Sequence, residues 1–86
     1  MKRRKSIMEN TVEVIAKIIE DIADIPLDEI KEDSHMMDDL DLSSLEIMSI
    51  VGDVERKFSI KISEDELLSI STVGDLAKAV QNKISA

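Results

Sequence analysis

The chain has no cysteine, no tryptophan and no tyrosine, and it holds one phenylalanine, one histidine, one proline and two glycines. Without cysteine there is neither a disulfide nor a thiolate-bound metal. The lone His35 excludes a multi-histidine metal centre, and in its acidic surroundings it reads as a solvated loop side chain. The missing aromatics remove any platform on which bases stack. A net charge of −8 works the same way, since nucleic-acid affinity rests on neutralising phosphates, so no nucleic-acid partner is expected. No apolar run approaches the roughly 20 residues of a membrane span. The basic stretch Met1-Lys2-Arg3-Arg4-Lys5 is not followed by a signal-peptide core, so a cytoplasmic protein without a membrane span is expected. No Gly-x-Ser-x-Gly elbow occurs, and an enzyme is not expected. The loop aspartates fail as a calcium loop. Counted from Asp39, Ser44 takes the turn-glycine position and Ile50 that of the bidentate glutamate; counted from Asp38, Ser49 falls there.

What is present is aliphatic and acidic. Apolar residues make up 43% of 86 residues, enough for one small domain with a core of Ile, Leu and Val. Asn10 with Glu13 looks like a capping box, so residues 1–9 are expected to be a flexible basic tail and 10–86 the domain. Val12, Ile15, Ile18, Ile19 and Ile22 then form one helical face that Pro26 ends near Asp24 or Ile25. A connection to about Ser43 follows, long for a small domain. Ile25, Leu27, Ile30, Met36, Met37 and Leu40 are expected to anchor it. Residues 20–41 hold ten acids and one base, Lys31, which suits either a solvated face or a field that steers basic partners.

Behind the acidic run, Ile47, Ile50, Val51, Val54 and Phe58 predict a second helix over about 44–58. Gly52 inside it is unfavourable for a helix by about 1 kcal/mol relative to Ala. Ser59-Ile60-Lys61-Ile62 alternates like a strand but has no partner strand, and is expected to be loop. Ser63 and Glu66 make a capping box for a short helix bearing Leu67 and Leu68. Thr72 caps a last helix with Val73, Leu76, Ala77, Val80 and Ile84 on one face. Five methionines, among them Met36, Met37 and Met48, fit as core or rim residues, or as an adaptable lining between helices.

Ser43 and Ser44 stand where the second helix begins, beside its unpaired N–H groups and the positive end of its dipole. A serine there is most often an N-cap. The same terminus also stabilises an attached phosphate. Position alone does not choose between the two.

The run Asp39-Leu40-Asp41-Leu42-Ser43-Ser44-Leu45 resembles the prosthetic-group motif of acyl carrier proteins, roughly Asp-Leu-Gly-x-Asp-Ser-Leu. Asp41 stands for the usual Gly and Ser43 for the usual Asp. The flanks agree: the long first loop, and Ile70-Ser71-Thr72-Val73 at the entry to the last helix. The resemblance spans about residues 12–80. It implies an all-α fold, a small four-helix bundle with a long first loop and a short third helix. It also implies 4′-phosphopantetheine, taken from coenzyme A by a phosphopantetheinyl transferase and carried on Ser44. The implied function is to hold acyl intermediates as thioesters for enzymes of fatty acid, polyketide or related biosynthesis, with basic docking patches. Partner recognition would fall on Leu45, Glu46, Met48, Asp53 and Glu55, on a face that Ser43, Ser49, Gly52 and Arg56 make less acidic than is usual. A monomer is expected. The alternative is an unmodified acidic helical interaction module with the same fold.

Overall fold

A computed structural model describes residues 7–85. Helix α1 spans Ile7–Ala23, α2 Ser44–Phe58, α3 Glu64–Leu68 and α4 Val73–Ser85, with a short 3-10 turn at Leu27–Glu29. The described residues contain four α-helices and no strand, as the sequence predicts. Residues 59–62 are loop. α1 lies at the centre and packs on both α4 and α2. Ile15 and Ile19 meet Ile50 and Val54 of α2 and Val73, Leu76, Ala77 and Val80 of α4 in one aliphatic core. Gln81 of α4 donates to the Thr11 hydroxyl of α1 at 2.5 Å, so that buried hydroxyl has a partner.

α1 starts earlier than its capping pattern predicts. Ile7 is its first described residue, so Asn10 is an exposed position inside the helix and not its cap. Local propensity is a weak prior that the surrounding structure overrides, and the helix takes residues 7–9 from the expected tail. Residues 1–6 of that tail lie outside the described residues. α1 ends where Asp24 turns left-handed at φ 60°, its N–H bonded to Glu20 O.

The first loop is stitched to the start of α4. Met36 N–H donates to Ser71 O, Val73 N–H to Ser34 O, and Gly74 N–H to Glu32 O at 2.7 Å. Loop carbonyls thus satisfy the first N–H groups of α4, which have no partner within the helix. Gly74 permits this approach, because a Cβ there would sit 2.9 Å from Glu32 O. Ile30, Met36, Leu40 and Leu42 pin the loop by burial. Leu27 and Met37, expected as anchors, are exposed instead. Ile84 is half-exposed, since α4 has passed the end of its packing surface there.

Candidate functional site

The two serines stand differently at the start of α2. Ser43 is the N-cap of α2: its Oγ accepts from Glu46 N–H at 3.2 Å, and Glu46 Oε1 accepts from Ser43 N–H at 2.9 Å. This reciprocal box uses the Ser43 side chain and leaves Ser44 out of it. Ser44 is the first helical residue and is exposed. Its own N–H and that of Leu45 precede the first intrahelical bond, which runs from Ile47 N–H to Ser43 O. They point out of a 15-residue helix at the positive end of its dipole.

The approach to Ser44 is set by the residue that departs from the usual glycine. Asp41 has φ 56°, in the left-handed region, where glycine is the least strained residue and Asp one of the few others found. The chain turns there and re-enters through buried Leu42, whose N–H bonds to Met36 O at 2.9 Å. The two departures thus have defined backbone roles in this chain: a left-handed turn at 41 and an N-cap at 43.

Beside Ser44 a cleft of about 490 Å³ opens between the loop, α2 and α3, lined by apolar Met36, Met37, Ile47, Met48, Leu67 and Ile70. Its α3 wall is lightly attached. α3 has five residues, none buried. It is held by the Ser63–Glu66 capping box and by a 2.8 Å ion pair from Glu66 to Lys83 of α4. The Lys83 ammonium, and then the Ser63 N–H, hold the Glu66 carboxyl down at about 2. Asp75 also lies below the usual carboxylate range, because Ser71 and then Thr72 donate backbone N–H groups to it.

The expected recognition residues separate. Leu45 is 77% exposed and Met48, one turn below Ser44, 62%. Glu46 is engaged in the cap. Asp53 pairs with Arg56. Glu55 is half-buried and accepts from Ile62 N–H at 2.8 Å, so it fastens the loop after α2. That loop begins at left-handed Ser59, and Ile60 N–H reaches back to Glu55 O as in a Schellman ending. Met37, one of the methionines expected as rim or lining, and Leu68, which no motif marked as a site residue, are both exposed beside the cleft. The one available signal for Leu68 was the leucine pair Leu67-Leu68 behind the acidic run Glu64-Asp65-Glu66. Among the described residues no group of His, Asp and Glu is arranged to hold a metal ion. No described helix is long and apolar enough to cross a membrane.

Comparison with known proteins agrees with this geometry. The family described as "Phosphopantetheine attachment site" matches residues 13–80. The chain is 35% identical over 68 residues to the acyl carrier protein of Acidothermus cellulolyticus, covering 79% of this chain and 81% of that one. It is 36% identical over 73 residues to the meromycolate extension acyl carrier protein of Mycobacterium tuberculosis, covering 85% of this chain and 64% of the relative. Among solved structures, the acyl carrier protein from Enterococcus faecalis superposes with a TM-score of 0.73 at 29% identity, over 88% of this chain and 96% of that one.

Proposed function

Because the chain belongs to the acyl carrier protein family, a family of carriers that bear covalent 4′-phosphopantetheine, we propose that Ser44 is the attachment residue. A phosphopantetheinyl transferase loads it from coenzyme A. The observation that carries this assignment is the division of roles at the start of α2. Ser43 is committed to the cap, while Ser44 offers an exposed hydroxyl beside the N–H groups that favour a phosphate. When bound, the arm supplies the thiol that this cysteine-free chain lacks, and acyl groups ride on it as thioesters. The protein needs no base of its own, since the transferase activates the serine.

The residues present fit such an arm. Its phosphodiester falls at the N-terminus of α2, and the apolar cleft beside Ser44 is within the usual size of small-molecule sites. Met36, Met37 and Met48 give that cleft an adaptable lining for an acyl chain. The name of the mycobacterial relative favours fatty acid synthesis over polyketide assembly for this chain. An unmodified interaction module is the weaker account, because Ser44 is exposed and left out of the cap despite the departures at 41 and 43.

The test loads Ser44→Ala and Ser43→Ala separately with coenzyme A and a broad-specificity transferase, read by intact mass. Ser44→Ala is expected to take up no arm while keeping its stability. Ser43→Ala is expected to take up the arm but lose about 1 kcal/mol of stability with its cap. Loading of Ser44→Ala on this segment defeats the assignment.

A further inference from the structure

Methionine is the only sulfur-bearing residue of this chain, which has five of them and no cysteine. Three of the five, Met36, Met37 and Met48, line the cleft beside Ser44. Their access to solvent differs sharply. Met36 is packed in the core and 2% exposed, whereas Met37, from the first loop, is 55% exposed and Met48, from α2, 62%. Two thioethers thus stand open to solvent at the cleft, each from a different element, with a buried third beside them. There is no tryptophan or tyrosine to draw an oxidant elsewhere.

Solvent access decides which thioether a dissolved oxidant reaches. Charge decides the class of oxidant. Asp38 lines the cleft, and residues 20–41 hold ten acids and one base, a field that repels anions but not neutral hydrogen peroxide. In that reaction a sulfur lone pair attacks the peroxide O–O bond. One oxygen stays on sulfur, the other leaves as water, and the two electrons lost by sulfur reduce the peroxide. The sulfoxide is polar where the thioether was apolar, and methionine sulfoxide reductases reverse the change. On an open surface such a change has little effect. Here both side chains also form part of an apolar lining shared with Met36, Ile47, Leu67, Leu68 and Ile70.

We propose that Met37 and Met48 are a pair of reversible oxidation sites, through which hydrogen peroxide turns the cleft polar and expels an acyl chain held there. The proposal rests on the reading of the cleft as the place of the acyl chain. Met36, the third methionine of the lining, is shielded, so oxidation alters the cleft and leaves the core packed. The carrier then responds to peroxide without a cysteine of its own.

The experiment compares the full chain unloaded and carrying an octanoyl arm, transferred from octanoyl-coenzyme A by a broad-specificity phosphopantetheinyl transferase. In the acylated form the arm's thiol is capped, which leaves the methionines as the oxidisable sulfur. Peptide mass spectrometry after hydrogen peroxide should find sulfoxide forming at Met37 and Met48 about tenfold faster than at Met36, and at equal rates in urea. The octanoyl arm should raise the Tm of the untreated chain, and peroxide should remove most of that gain. A sulfoxide reductase should return it. A Met37→Leu, Met48→Leu double variant still carries Met1 and Met8, and peroxide should not change its gain. Sulfoxide forming as fast at Met36, or a gain that survives oxidation of both sites, overturns the proposal while the reading of the cleft stands. No gain in the untreated chain would instead defeat the reading of the cleft, and the proposal with it. An equal loss in the double variant would put the effect outside the cleft pair and overturn the proposal too.

Discussion

Where α1 meets α2 and α4, Ile15, Ile19, Ile50, Val54, Val73, Leu76 and Val80 are fully buried; across the molecule, α3 buries no residue at all. The first side is held by apolar contact, which is non-directional and sums over many atoms. The second is held by directed polar bonds: the Ser63–Glu66 box, the Glu66–Lys83 pair and the bond from Ile62 N–H to Glu55. Its apolar side chains stay at the surface, where they can meet an arm, an acyl chain or a partner. On the proposed assignment, the first side fixes Ser44 in space and the second is the lightly held wall beside it. Elements with little burial are those that open most readily.

The largest test of this contrast makes the same kind of substitution on each side. Ile19→Ala should cost about 2–5 kcal/mol, from lost burial and the cavity left behind. Leu68→Ala should stay within about 0.5 kcal/mol. Urea unfolding checks both, and the first should lower the midpoint without changing the slope. Comparable losses at the two positions would show that α3 is packed after all.

A smaller effect is expected at the turn that leads into the site. Asp41 holds φ 56°, a conformation that strains an L-residue by about 1–2 kcal/mol, less for Asp than for most. Glycine removes that strain but adds about 0.4–1 kcal/mol of unfolded-state entropy to overcome. Asp41→Gly should therefore stabilise the chain by about 0.5 kcal/mol, with loading of Ser44 unchanged. A destabilised Asp41→Gly would mean that the aspartate side chain contributes more at this turn than its backbone does.

The smallest effect concerns the polar side alone. Glu66 is held at about 2, against an ordinary 4.5, so the folded state favours its ionised form. That contribution is complete above about 4.5 and is lost as pH falls toward 2. Glu66→Gln keeps a side chain suited to the capping box but removes the charge. The melting temperatures of the two proteins should differ slightly near neutrality and converge as the pH is lowered through that window. Hydrogen exchange of the α3 amides should rise in Glu66→Gln at pH 7, with the α1 amides unaffected. A difference that grows toward low pH would contradict the assigned sign.

The sequence by itself determined most of the framework. Helical spacing of Ile, Leu and Val located the helices, because an aliphatic stripe has to be buried and only one periodicity buries it. Ser63 with Glu66, and Thr72 at the head of α4, announced their caps because capping is local and uses residues three apart. The family motif singled out Ser44, but the sequence did not say which serine would cap. Ser43 takes that role through Glu46 N–H three residues on, a bond as local as the other two caps, whereas the tertiary structure decided what lies between distant segments. α1 already includes Ile7, ahead of the cap signal at Asn10. The attachment of the first loop was out of reach of the sequence. Its carbonyls at Glu32 and Ser34 satisfy Gly74 and Val73, some forty residues on, and no local pattern records a backbone bond between distant segments. Glu55 and Leu68 followed suit, one charged side chain drawn in to Ile62 N–H and one leucine left outside. Exposure depends on which neighbours remain to cover a residue, and three-dimensional packing, not sequence spacing, sets that.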